Sequence, residues 1–217
     1  MALFVKICGI NSAQAADAVV RAGAEFAGLV FHPKSPRNLS LEAAQSLAGR
    51  MRGRLRLVAL MADADDDLLA AVTAAVQPDF LQLHGKETPA RAAAVRARFG
   101  LPLIKAVAVA EAADLSSVAC YHQSCDMFLF DAKAPEDSRP GGHGTPFDWK
   151  LLRGRNFSRP WFLAGGLTAQ NVARAVAAAE APGVDVSSGV EAAPGIKDPR
   201  LIAEFVSAAR NQMEARA

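Results

Sequence analysis

Residues 26–51 read FAGLVFHPKSPRNLSLEAAQSLAGRM. The first six are apolar without alternation, the pattern of a strand buried on both faces. Then comes a polar turn broken by two prolines, and Ser40 stands directly before LEAAQSLAGRM, an Ala-rich stretch of helical period. A serine there can accept from free N–H groups of the first turn, so it marks a helix start. Strand, turn and capped helix in succession form one βα unit.

The same grammar extends in both directions. LFVKIC precedes it, and LRLVALM, FLQLH, LPLIKAV, MFLFD, RPWFLA and GVDVS follow, giving eight short apolar runs. Helix starts recur between them: Thr88 before Pro89 and ARAAAVRARF, Thr168 before AQNVARAVAAA, and Asp198 before Pro199 and RLIAEFVSAARNQ. Strands alternating with helices predict right-handed βαβ units and a parallel sheet. Eight such units in 217 residues fit a closed (β/α)8 TIM barrel forming a single domain over residues 1–217. An open doubly wound sheet is the alternative. It is disfavoured because neither GxGxxG nor a Walker sequence follows the first strand.

Composition narrows the function. Half the residues (51%) are hydrophobic and 21% are charged, as in ordinary globular enzymes. The net charge is +2 with Lys and Arg scattered singly, so no basic stripe is present to neutralise a nucleic-acid backbone. No leader-like segment opens the chain and no apolar run approaches the ~18 residues of a membrane span, so a cytoplasmic protein is expected. Cys8, Cys120 and Cys125 lack a CxxC spacing, and the four histidines (32, 84, 122, 143) show neither HxH nor HxxxH. Reduced thiols and no metal are expected. A monomer is expected too, although the last two helices are apolar enough to pair.

In a parallel barrel the chemistry sits where strands run into helices. Cys8 ends the first run and Gly9 lets the chain turn; Asp131 ends the sixth. A lone thiol is most often a small buried hydrophobe and a lone strand-end aspartate a turn cap. Placed across one barrel mouth, however, they form a candidate acid–base pair. Gly165 and Gly166 after the seventh run, with Ser187, Ser188 and Gly189 after the eighth, are a candidate phosphate cradle. Arg37 is a candidate ligand for a carboxylate or phosphate. Asp185 is expected to face Lys6 inside the barrel, and the Lys6 ammonium to lower the thiol pKa against the opposing effect of burial. Acid–base work near neutral pH would need both groups tuned towards it. His84 could line the rim. The loop APEDSRPGGHGTPFDW (134–149) is a lid candidate.

Taken together, KICGI, GLVFHPKSPRNLS, LQLHG, FDAKAP with GGHGTPFDW, LAGGLTAQNV and GVDVSSGVEAAPGIKD make the chain resemble the phosphoribosylanthranilate isomerase family. The stretches occur in family order and span nearly the whole chain. The resemblance implies a (β/α)8 barrel without cofactor. It also implies an Amadori rearrangement of N-(5-phosphoribosyl)anthranilate to 1-(2-carboxyphenylamino)-1-deoxyribulose 5-phosphate, in tryptophan biosynthesis. By the same match Cys8 is the general base, Asp131 the general acid and Arg37 the residue holding the anthranilate carboxylate, while the GG and SSG stretches bind phosphate. Three alternatives stay open at this point: a sugar-phosphate isomerase of broader substrate range, a Schiff-base aldolase using Lys105 or Lys133, and a phosphometabolite-binding barrel without catalysis.

Overall fold

The computed structural model describes residues 3–133 and 147–214. Eight parallel strands close into a barrel in sequence order: β1 (Phe4–Cys8), β2 (Phe26–Phe31), β3 (Arg56–Met61), β4 (Phe80–Leu83), β5 (Leu103–Val109), β6 (Met127–Ala132), β7 (Trp161–Leu163) and β8 (Gly183–Val186). All eight predicted runs are therefore strands, and β1 closes the ring on β8 with Lys6 beside Asp185. Around it lie α1 (Ala13–Ala22), α2 (Leu41–Met51), α3 (Asp66–Val76), α4 (Pro89–Phe99), α5 (Val172–Ala179) and α6 (Pro199–Glu214). Ser40 and Thr88 cap α2 and α4 by accepting from Ala43 N and Arg91 N, and Asp198 accepts from Arg200 N ahead of α6.

Several helical expectations need correction. The connection after β5 is a 3₁₀ segment, Ala112–Tyr121, and the one before β7 contains, among the described residues, the 3₁₀ turn Trp149–Leu152. α5 begins at Val172, not directly after Thr168. The cause is Asn171, whose side-chain oxygen takes the Thr168 N–H at 2.8 Å. That local bond diverts the stretch into a turn. A two-stranded antiparallel ribbon, β9 (Glu191–Ala193) with β10 (Ile196–Lys197), follows β8. Most of the lid candidate, residues 134–146, lies outside the described residues.

Strand side chains alternate between two cores. The outward-facing set packs against the helices, for example Ile7, Leu29, Leu81 and Leu163. The inward set fills the barrel with Phe26, Val58, Ile104, Met127, Leu129 and Phe162, and Phe26 meets Phe162 edge to face at 5.2 Å. A barrel interior stoppered with aromatic and branched side chains is a solid support and not a channel. Above that plug the inward positions turn polar, which is where the site begins.

Candidate active site

Cys8 is the last residue of β1 and lies 5% exposed at the top of the barrel interior. Two neighbours make room for it. Gly9 has φ +81°, and a Cβ there would collide with the Arg37 side chain. Gly28, paired with Cys8 across β1 and β2, has a missing Cβ that would fall 2.8 Å from Cys8 Sγ. Beneath the thiol, Lys6 Nζ donates to Asp185 Oδ1 at 2.8 Å, the pairing expected inside the barrel. Burial would strip the Lys6 proton, but Asp185 and Cys8 outweigh it and hold the ammonium above its ordinary pKa.

The thiol itself does not follow expectation. Burial pushes Cys8 up, Lys6 pulls it down, Asp185 pushes it up again and Lys197 pulls it down; the balance stays above the ordinary thiol value. Lys6 is thus close enough to act, but its charge is largely answered by Asp185.

Asp131 lies near the end of β6 on the far side of the mouth, and it lines with Cys8 one cleft of about 550 Å³. Its Oδ1 accepts the Ala132 N–H at 2.9 Å. Its Oδ2 faces His84 Nε2 at 3.5 Å. His84 lines the same cleft, and its other ring nitrogen meets the amide of Gln82, a fully buried residue of β4. The sequence places His84 on the rim but offers no reason to single out Gln82.

An adjoining cleft of about 310 Å³ is lined by Asp131, Gly165, Gly166, Ser187 and Ser188. Gly165 (φ 86°) and Gly166 (φ 65°) both take the left-handed turn, a conformation that suits residues without a Cβ. A Cβ on Gly165 would sit 2.6 Å from Ala132 N and 3.2 Å from Asp131 Oδ1. Asn171 Nδ2 donates to the Gly166 carbonyl at 2.8 Å and clamps this turn. Ser187 and Gly189 are also tied into the fold. The Ser187 hydroxyl donates to the Cys8 carbonyl at 3.1 Å, so it ties β8 to β1. Gly189 is not among the residues lining the cleft; it is held against the Leu167 carbonyl, where any side chain would clash.

Arg37 lines the first cleft, though not as a free cation. Its Nε and Nη2 each donate to Glu191 at 2.7 Å. Glu191 also accepts from Lys197 at 2.6 Å, and Lys197 donates to the Ser187 carbonyl and hydroxyl at 2.9 and 3.2 Å. Burial would raise the Glu191 carboxyl, but Arg37 and Lys197 overcome it and hold it below the usual carboxylate range. For Lys197 burial prevails over Glu191 and lowers the ammonium.

The two candidate Schiff-base lysines are elsewhere. Lys105 is buried against Glu87 at 2.8 Å, and Lys133 pairs with Asp114 at 3.2 Å; neither lines the clefts holding Cys8 and Asp131. Among the described residues no cluster of three or more His, Cys, Asp or Glu is placed to hold a metal. What the mouth offers is a thiol and a carboxyl lining one cleft with a guanidinium, and a glycine turn in the cleft that adjoins it. It suits a proton to be taken and a proton to be given on an elongated anion.

Comparison with known proteins places the chain in one family. Residues 5–208 match the family model described as N-(5'phosphoribosyl)anthranilate (PRA) isomerase. A relative from Bradyrhizobium sp. (strain ORS 278), named N-(5'-phosphoribosyl)anthranilate isomerase, is 51% identical over 97% of this chain and 96% of its own. Among solved structures, phosphoribosyl anthranilate isomerase from Thermotoga maritima superimposes with TM-score 0.85 at 34% identity, over 96% of this chain and 99% of that one. A phosphoribosyl anthranilate isomerase in complex with reduced 1-(o-carboxyphenylamino)-1-deoxyribulose 5-phosphate gives TM-score 0.84 at 33% identity, over 96% of this chain and 99% of that one.

Proposed function

The chain belongs to the N-(5'-phosphoribosyl)anthranilate isomerase family, and on that premise we propose that Cys8 is its general base and Asp131 its general acid. The reaction is the isomerisation of N-(5'-phosphoribosyl)anthranilate in tryptophan biosynthesis, an aldose-to-ketose rearrangement. The observation that carries the residue roles is that Cys8 and Asp131 line one cleft together with Arg37, while Asp131 also lines the adjoining cleft with Gly165, Gly166 and Ser188. The substrate asks for the same set of groups: a cation for the anthranilate carboxylate, an acid and a base at the ribosyl centre, and N–H donors for the phosphate.

In this arrangement the phosphate takes backbone N–H groups of the Gly165–Gly166 turn and the Ser188 hydroxyl. The carboxylate takes the Arg37 N–H groups that Glu191 does not use. Protonated Asp131 gives its proton to the furanose ring oxygen as the C1–O bond breaks, and the nitrogen lone pair closes an iminium. The Cys8 thiolate then removes the C2 proton. The electrons of that C–H bond form the enolamine, which tautomerises to the ketone. The buried thiol must first lose its proton, and the Lys6 and Lys197 ammoniums are the groups whose charge favours the thiolate that results.

The test is loss of anthranilate fluorescence from freshly generated phosphoribosylanthranilate. Wild type should clear it rapidly, and Cys8→Ala and Asp131→Asn should fall by at least about 10³-fold with the fold intact. Near-wild-type turnover in either folded variant would remove that residue from its role.

The reading extends to surroundings. No helix among the described residues is long and apolar enough to cross a membrane. Cys8, Cys120 and Cys125 are all free thiols, which supports a reducing, cytoplasmic setting. Ile196 is the large apolar side chain left exposed among the described residues, which supports a monomer.

A further inference from the structure

Gln82 is an unfavourable residue for its position. It lies fully buried on β4, and its register neighbours on the flanking strands are Leu60 and Ile104. A leucine or methionine would fill that layer without burying an amide. The amide is also only half satisfied: Oε1 is buried without a hydrogen-bond partner among the described residues, while Nε2 lies 2.9 Å from His84 Nδ1. Leaving a buried carbonyl unpaired destabilises the fold, so the amide has to be offset by what its other end does.

An amide N–H₂ is donor only. Placed against Nδ1, it requires that nitrogen to be the acceptor, and the proton of a neutral ring must then sit on Nε2. His84 Nε2 in turn faces Asp131 Oδ2 at 3.5 Å. The second carboxyl oxygen of Asp131 is already taken by the Ala132 N–H. One oxygen is therefore oriented by backbone, and the other looks towards the cleft and a single imidazole nitrogen.

We propose that Gln82 is a positioning residue for the general acid, acting by fixing the tautomer of His84. The proposal rests on the role given to Asp131 above. With the proton held on Nε2, His84 presents an N–H to the oxygen on which negative charge appears once Asp131 has delivered its proton to the ring oxygen. With the other tautomer, a lone pair would face that charge. The two tautomers of a solvated histidine ring lie close in energy, so without Gln82 the N–H would point at Asp131 only part of the time. The proton inventory is unchanged: Asp131 gives and later recovers one proton, and His84 keeps its own throughout.

The direct measurement is the ring ¹⁵N shifts of His84 in the ligand-free protein at alkaline pH, where the two neutral tautomers have distinct signatures. A ring protonated on Nε2 in wild type, becoming a tautomer mixture in Gln82→Leu, is the expected result. Kinetically, Gln82→Leu and Gln82→Met should each lower kcat by about two- to threefold with KM nearly unchanged, because the N–H that serves the charge forming during the reaction is then presented by only part of the molecules. A wild-type ring protonated on Nδ1, or ring shifts identical in wild type and both variants, would overturn the proposal. So would a loss of rate carried by KM. The spectroscopic result does not depend on turnover, so it stands apart from the Asp131→Asn assay: failure there removes the acid, whereas failure here removes only the relay behind it.

Discussion

Gly28→Ala is the sharpest probe of the site because it adds one methyl group at a known place. The new Cβ would lie 2.8 Å from Cys8 Sγ, 3.1 Å from Cys8 Cα and 3.3 Å from Cys8 Cβ. Carbon atoms normally settle about 3.5–4 Å apart, and sulfur is larger, so the thiol must retreat by roughly 1 Å. It cannot simply swing aside, since the methyl also presses on the α-carbon of Cys8 and so on β1 itself, and the barrel interior below is filled. Overpacking of this kind costs about 1–3 kcal/mol, lessened by roughly 0.4–1 kcal/mol because alanine restricts the unfolded chain more than glycine. A displacement of ~1 Å at a reacting group lowers the rate by about 10²-fold. The variant should thus be mildly destabilised in urea while kcat falls by about two orders of magnitude. Gly49→Ala is the matched control. It sits in α2 with nothing within 4 Å of its Cβ position. It should therefore gain about 0.5–1 kcal/mol and leave kcat alone. If Gly28→Ala kept kcat within about threefold of wild type, the position of Cys8 Sγ could not be what the reaction depends on.

Two further outcomes follow from groups outside the acid–base pair. The Glu191 carboxyl is held below its unfolded value by Arg37 and Lys197 against the opposing effect of burial. Its contribution to stability is therefore fully present above the unfolded carboxylate pKa of ~4.3 and is lost as pH falls through the lower folded value. The stability gap between wild type and Glu191→Gln in urea should accordingly be widest near neutrality and narrow below about pH 4; a gap independent of pH would contradict the ion-pair account. Asn171→Ala removes two hydrogen bonds, one accepted from Thr168 N and one donated by the amide to Gly166 O, each at 2.8 Å. Loosening the glycine turn should raise KM and weaken inhibition by inorganic phosphate by roughly three- to tenfold at nearly constant kcat, given a net ~0.5–1.5 kcal/mol per bond; an effect on kcat alone would place the phosphate elsewhere.

The barrel was legible because parallel strands covered on both faces carry unbroken apolar runs, and because Ser40, Thr88 and Asp198 announce their helices. The exceptions share a cause. Ala112–Tyr121 and the stretch after Thr168 have the composition of helices, yet local side-chain bonds redirect them: Asp114 accepts from Ala110 and Glu111 N–H groups, and Asn171 takes the Thr168 N–H. Cys8 and Asp131 could be singled out because a strand-end position already places a residue at the mouth. Gln82, Glu191 and Lys197 could not. Gln82 lies two residues from its partner, but inside a run that reads as ordinary buried strand, and Glu191 meets Arg37 across 154 residues. The ribbon that carries Glu191 and Lys197 is too short to show a period of its own.

That missed ribbon explains an arrangement that isolated residues leave puzzling. Arg37, which the sequence presents as a free anion ligand, commits its fork to Glu191; Glu191 takes Lys197; Lys197 takes the Ser187 hydroxyl and carbonyl; and the Ser187 hydroxyl closes the series on the Cys8 carbonyl. The series joins four segments: the loop after β2, the ribbon, the end of β8 and the end of β1. Buried ion pairs add little net stability after desolvation, and burial has already depressed the Lys197 ammonium. Their consequence is geometric. A β1 terminus that ended only in a glycine turn would have fewer ties, whereas these bonds join the backbone of Cys8 to Arg37, the residue proposed above to hold the substrate carboxylate. Losing Arg37 should therefore disturb the thiol as well as carboxylate binding, which separates a coupled mouth from a set of independent subsites.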